Sequence, residues 1–276
     1  MLRSSNPILS KQDAFTPAAP QYGHSPYGQQ SPYGQVPNGY QQVPQPAPTQ
    51  APEGRMTFDD VVTKTAVTMA VLILTAAAAW FALPDALMFP ALIVSGLVGF
   101  VVVLVVSFRR VVNPTLVLVY AAIEGVFIGM ISKYFEFLYD GIVAQAVLGT
   151  FAAAGVTLAS YKFFNIRVTP KFQKIVIMAT IAFAVAMLLN FVLSLAGINL
   201  GLRDSGTGPV SILAVGVALL GAVLAVLNLV LDFDYIEKGV AMGAPARESW
   251  RGAFGLTVTM VWLYIEILRL LSYLRR

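Results

Sequence analysis

From about residue 56 to the C-terminus the sequence is a succession of apolar runs, each near 20 residues long, separated by short polar stretches. About 20 consecutive apolar residues are what an α-helix needs to cross the hydrocarbon core of a bilayer. Seven such runs are present: Thr65–Leu83, closed by Pro84-Asp85; Leu87–Phe108, closed by Arg109-Arg110; Thr115–Lys133, after Asn113-Pro114; Ile142–Phe163; Phe172–Leu195, after Thr169-Pro170; Ser211–Asp234, after Pro209; and Phe254–Leu274. The period-two alternation of short strands is missing, which argues against an outer-membrane barrel. No inverted repeat of the kind found in many transporters stands out. The expected fold is all-α, a polytopic membrane protein with seven transmembrane helices.

Composition agrees. Hydrophobic residues make up 57% of the chain and charged ones only 12%, where an average soluble domain carries about a quarter charged residues. Too little charge remains to coat a water-facing surface, so the lipid bilayer is the expected partner. The net charge of +4 is small and is read by position, not as a sign of nucleic-acid binding. The chain has no cysteine, which excludes disulfides, thiolate nucleophiles, iron–sulfur clusters and cysteine-ligated zinc. Its single histidine is His24, so a histidine-ligated metal or a Ser-His-Asp triad would rest on that residue alone. No tightly bound cofactor is expected.

Residues 1–55 have the opposite character, rich in Pro, Gln, Tyr, Gly and Ser. The unit Ser25-Pro26-Tyr27-Gly28-Gln29 recurs as Ser31-Pro32-Tyr33-Gly34-Gln35. Such a segment buries too little apolar surface to offset its chain entropy, and it reads as a disordered tail that contains His24. It has no apolar core of the signal-peptide kind. A spacer is favoured over a partner-binding role for the repeated units. The expected organisation is a tail over 1–55 and a seven-helix domain over 56–276.

Lys and Arg set the orientation. One side carries Arg3, Lys11, Arg55 and Lys64, then Arg109 and Arg110, then Lys162, Arg167, Lys171 and Lys174, then Lys238, Arg247 and Arg251. The other side carries Lys133 and Arg203. This asymmetry predicts a cytoplasmic N-terminus and tail in a multi-pass protein of the plasma membrane. Seven spans then put Arg275 and Arg276 outside, against the rule, unless the last helix snorkels or re-enters.

A charge at the centre of a membrane helix costs about 2.5–3.5 kcal/mol on insertion scales, so each acid within a run is informative. Glu124 lies in the third run beside Gly125, with Gly129 one turn further on. Small residues there let helices approach closely. Asp232 and Asp234 close the sixth run and project about 200° apart on a helix. Glu266 lies in the seventh run, and Arg269, three residues on, could pair with it locally. Two carboxylates brought together at low dielectric cannot both ionise cheaply. They would share a proton, and on losing it would repel or bind a hard cation such as calcium through oxygen. Arg109 and Arg110 stand at the level of Asp232 and Asp234 and could supply a competing salt bridge.

The final run, Leu263-Tyr264-Ile265-Glu266 followed by Leu268-Arg269-Leu270-Leu271, resembles the last helix of the Bax inhibitor-1 family. Glu124-Gly125 and an acid at the end of the sixth helix are similar to that family as well. The resemblance covers about residues 56–276 and looks most like a bacterial branch. It implies a seven-helix fold whose last helix is enclosed by the other six, in the bacterial plasma (inner) membrane. It also implies a pH-sensitive calcium leak gated by acids of helices six and seven. By position Glu266 takes the second acid, normally Asp. The first is Asp234 or Asp232, with Asp234 preferred because it follows an aromatic residue. Asp234 and Glu266 would then be the pair that meets Ca²⁺ and protons. Glu in place of Asp, and a longer loop around Gly239–Trp250, depart from the family pattern.

A second function is control of a membrane protease, to which some members of that family are linked. A third, an intramembrane aspartyl protease, would also use acids on adjacent helices, but the chain has no Gly-x-Gly-Asp and its second acid is Glu. No enzyme activity is therefore expected.

Overall fold

A computed structural model describes residues 54–164, 166–198, 200–203 and 210–276. The repeated tail units and His24 lie outside the described residues. Among the described residues seven helices follow one another: α1 (Phe58–Ala82), α2 (Met88–Phe108), α3 (Pro114–Leu138), α4 (Ile142–Phe163), α5 (Pro170–Leu195), α6 (Ile212–Ala241) and α7 (Glu248–Leu274), with one 3-10 turn over Asp85–Leu87. All seven are long and apolar enough to cross a membrane. The fold is that of an all-α polytopic membrane protein.

Local chemistry explains the helix ends. The side chains of Thr57, Asn113, Thr169 and Ser211 each accept a backbone N–H of the helix they open, which satisfies donors with no partner inside the helix. Pro114 and Pro170 occupy the first turns of α3 and α5, where a missing N–H costs nothing. After α6 the chain turns through Gly243 at φ 64°, and Ala244 N–H returns to the Gly239 carbonyl at 3.0 Å; a left-handed residue closing a helix is a position suited to glycine.

Several helices run further than their apolar cores. α1 begins at Phe58 and α7 at Glu248, while α3 continues to Leu138 and α6 to Ala241. Hydropathy marks where lipid is met, whereas hydrogen bonding continues into polar ends such as Asp59-Asp60, which suit a helix N-terminus. Asp232 and Asp234 therefore lie inside α6, not at its close.

One end of the bundle gathers the start of α1 with the α2–α3 and α6–α7 loops. Met56 N–H donates to the Ala244 carbonyl at 2.7 Å, and Ala246 N–H to that of Gly54 at 2.7 Å. Lys64 Nζ reaches the Ala246 carbonyl at 2.9 Å, and Arg251 the Arg110 carbonyl at 2.8 Å. At the far end Lys133 pairs with Asp85 at 2.7 Å, and Arg275 donates to the Asp140 carbonyl at 2.7 Å and to Gln145 at 2.9 Å. Arg275 and Arg276 are thus held at the far end against the α3–α4 connection, Arg276 through Tyr139. α7 is a full-length helix and does not re-enter.

α7 sits at the centre. It packs on α1, α3, α4 and α6. Its Phe254 shares an apolar cluster with Val106 of α2 and meets Tyr120 of α3 ring to ring at 5.1 Å, and its Trp262 meets Phe183 of α5 at 5.8 Å. The outward faces of the other helices are apolar and open, as at Leu74, Leu148 and Met178, which suits contact with acyl chains. The tightest approach joins α1 to α3. A side chain at Gly125 would overlap Thr75 Oγ1 and the Leu72 carbonyl, and one at Gly129 the Ala76 carbonyl. This Gly-x-x-x-Gly pair lets two backbones touch.

Candidate functional site

The polar interior follows the seam between α6 and α7. Glu266 is 1% exposed. Its Oε1 accepts from Arg203 of the α5–α6 connection at 2.8 Å, and its Oε2 is buried with no hydrogen-bond partner among the described residues. Gly221 of α6 makes the room, since a Cβ there would lie 2.8 Å from the Glu266 Cδ and 2.9 Å from Phe183 of α5. Arg203 also places its Nε 2.9 Å from Met187 Sδ. Arg269 follows one turn along α7, with its Nε buried and unpartnered.

Eleven residues along α6 from Gly221, Asp232 faces Gly255, itself eleven residues before Glu266. That antiparallel register separates Asp232 from Glu266 by about 16 Å of helix. Thr259 Oγ1 donates to Asp232 Oδ2 at 2.7 Å. Asp234 is 8% exposed and accepts from Lys238, one turn on, at 2.6 Å. Beyond it the Tyr161 hydroxyl of α4 donates to Glu237. Between the two ends, Asn228 of α6 donates to Thr180 of α5 at 2.7 Å.

The seam thus holds Glu266, Asp232 and Asp234 at successive depths, each with its own partner. The structure does not bring Glu266 into hydrogen-bond contact with Asp234 or Asp232. The helix register sets Gly221, not an α6 acid, opposite Glu266, and Arg203 and Lys238 pair with Glu266 and Asp234 separately. Among the described residues no group of three His, Asp or Glu side chains is placed to hold a metal ion. Glu124 sits apart, on α3 against α2, where a Cβ on Gly99 would lie 2.9 Å from its Oε2. Arg109 and Arg110 are exposed and make no ion pair with Asp232 or Asp234. Their backbone carbonyls instead receive Arg251, which also binds Glu248 at 2.7 Å. Arg269 does not form the local ion pair with Glu266. That place belongs to Arg203, whose signal in the sequence is its isolation on a side otherwise almost bare of Lys and Arg.

Tyr264, in the same α7 motif, shares a 2.7 Å hydrogen bond with Ser132 of α3. The pair lies at the wall of an apolar cavity of about 350 Å³ between α1, α3 and α4.

Fold and site define a multi-pass helical membrane protein whose central helix carries a buried, ion-paired acid. The family model described as Bax inhibitor 1 like matches residues 6–276, and the chain belongs to that family. The match extends into the N-terminal tail, beyond the seven-helix region. No curated protein matches the chain.

Proposed function

We propose that the protein is a pH-sensitive cation leak of the bacterial plasma membrane, with Ca²⁺ as the transported ion. In this reading the N-terminus and the α2–α3, α4–α5 and α6–α7 loops face the cytoplasm, as the Lys/Arg distribution favours. The observation that carries it is the α6–α7 seam, where Glu266, Asp232 and Asp234 stand at three depths inside an apolar bundle. Carboxylate oxygens are the ligands that hard cations take, and protons compete for the same oxygens. Arg203 and Lys238 act as tethered cations that occupy two of these acids and close the path. The charged groups near Glu266 are Arg203 from the α5–α6 connection and Arg269 on α7 itself, while α6 and α5 present Gly221 and Phe183. The Arg203 contact draws on the charge of Glu266, so neutralising that carboxylate weakens the latch.

Calcium flux from liposomes containing the full chain, measured from about pH 5 to about pH 8, tests the reading. The expected result is a pH-dependent flux that becomes nearly flat in Glu266→Gln. Asp232→Asn and Asp234→Asn decide which α6 acid lies on the path, by which of them lowers flux several-fold. Unaltered pH-dependent flux in Glu266→Gln rejects the gate.

A further inference from the structure

A second cavity, about 740 Å³, lies at the far end between α2, α3, α5 and α7. Among the described residues α5 does not pack on α2 or α3, so the cavity opens sideways between them, into the layer that lipid occupies. Its size falls in the range of ligand sites, about 300–1,000 Å³. Arg203 and Arg269 line it together with Asn190 and Ser194, and Phe89 and Phe191 supply apolar wall. Arg269 stands five residues before the end of α7, about 8 Å along the axis. A residue that far inside the end of a spanning helix is within reach of the headgroup layer.

Among the described residues charge does not balance there. Arg203 and Arg269 share one carboxylate, Glu266, which binds only Arg203, and the Arg269 Nε is buried without a partner among the described residues. A surplus buried cation is costly unless an anion meets it. Guanidinium groups match the oxygens of a phosphate, and basic pockets between membrane helices suit anionic lipid headgroups. We infer that this cavity binds an anionic phospholipid from the leaflet at the far end, its phosphate on Arg203 and Arg269 and its chains along Phe89 and Phe191. The inference needs no ion flux and stands apart from the leak.

The test is lipid binding to the purified full chain in neutral detergent, read by native mass spectrometry and by melting temperature. The probes are phosphatidylglycerol, phosphatidylcholine and inorganic phosphate. Phosphatidylglycerol should bind and raise the melting temperature more than the other two. Arg203→Gln and Arg269→Gln should each weaken it about tenfold or more, while Arg110→Gln, at the opposite end, leaves it unchanged. Glu266→Gln removes the competing carboxylate and should tighten binding, a readout that holds even where an arginine variant folds poorly. Equal binding of the two lipids, inorganic phosphate binding as well as phosphatidylglycerol, or unchanged affinity in Glu266→Gln would each overturn the assignment.

Discussion

At the scale of single residues, the α6–α7 seam gives each of its three acids a partner from a different source. Glu266 takes Arg203 from a connection, Asp234 takes Lys238 from its own helix, and Asp232 takes a neutral hydroxyl, Thr259, from α7. A buried acceptor that loses its donor incurs the desolvation cost of the group, about 1–3 kcal/mol. Thr259→Val keeps the shape of the side chain and removes only the donor, so it should destabilise the protein by that amount in detergent melting. Thr259→Ser should retain most of the stability, because the hydroxyl remains. Equal losses in the two variants would show that packing, not the hydrogen bond, is what Thr259 contributes.

The helices as elements are held by backbone proximity as much as by side chains. α1 and α3 meet at Gly125 and Gly129, where Thr75, the Leu72 carbonyl and the Ala76 carbonyl occupy the space a Cβ would need. Lipid is as apolar as leucine, so close packing and not hydrophobic burial draws such helices together. Gly125→Ala must push α1 away from α3, and overpacking of this kind costs about 1–3 kcal/mol. Gly155→Ala in α4 is the matched control, since nothing lies within 4 Å of its added methyl; it should be neutral or stabilising by up to about 1 kcal/mol. Thermal melting in detergent separates the two, and comparable losses would refute the close approach.

For the molecule as a whole, the odd number of spans among the described residues places the start of α1 and the end of α7 on opposite faces. The α6–α7 loop then shares a face with Met56, and the α1–α2 connection lies on the other. The chain has no cysteine, so single substitutions report topology directly. Ala86→Cys, in the α1–α2 connection, should be labelled in intact cells by an impermeant thiol reagent. Met242→Cys, 78% exposed beside the α6–α7 loop, should be labelled only after the membrane is opened. The reverse pattern would invert the orientation.

The seven spans, their order and the residues that break their apolarity were legible in the sequence, because lipid imposes a length and a polarity on each helix that no neighbour needs to supply. The family could be read from the acid and the Leu-Tyr of α7 for the same reason: those residues lie within one short stretch of chain. Which acid meets which cation could not be read this way. Helical spacing relates Glu266 to Arg269 and Asp234 to Lys238, but it says nothing of how far α6 slides along α7 or where the α5–α6 connection turns. Tertiary packing decided both. It set Gly221 opposite Glu266 and Asp232 opposite Gly255, and it brought in Arg203 from 63 residues away, giving Glu266 the partner that its own helix does not provide.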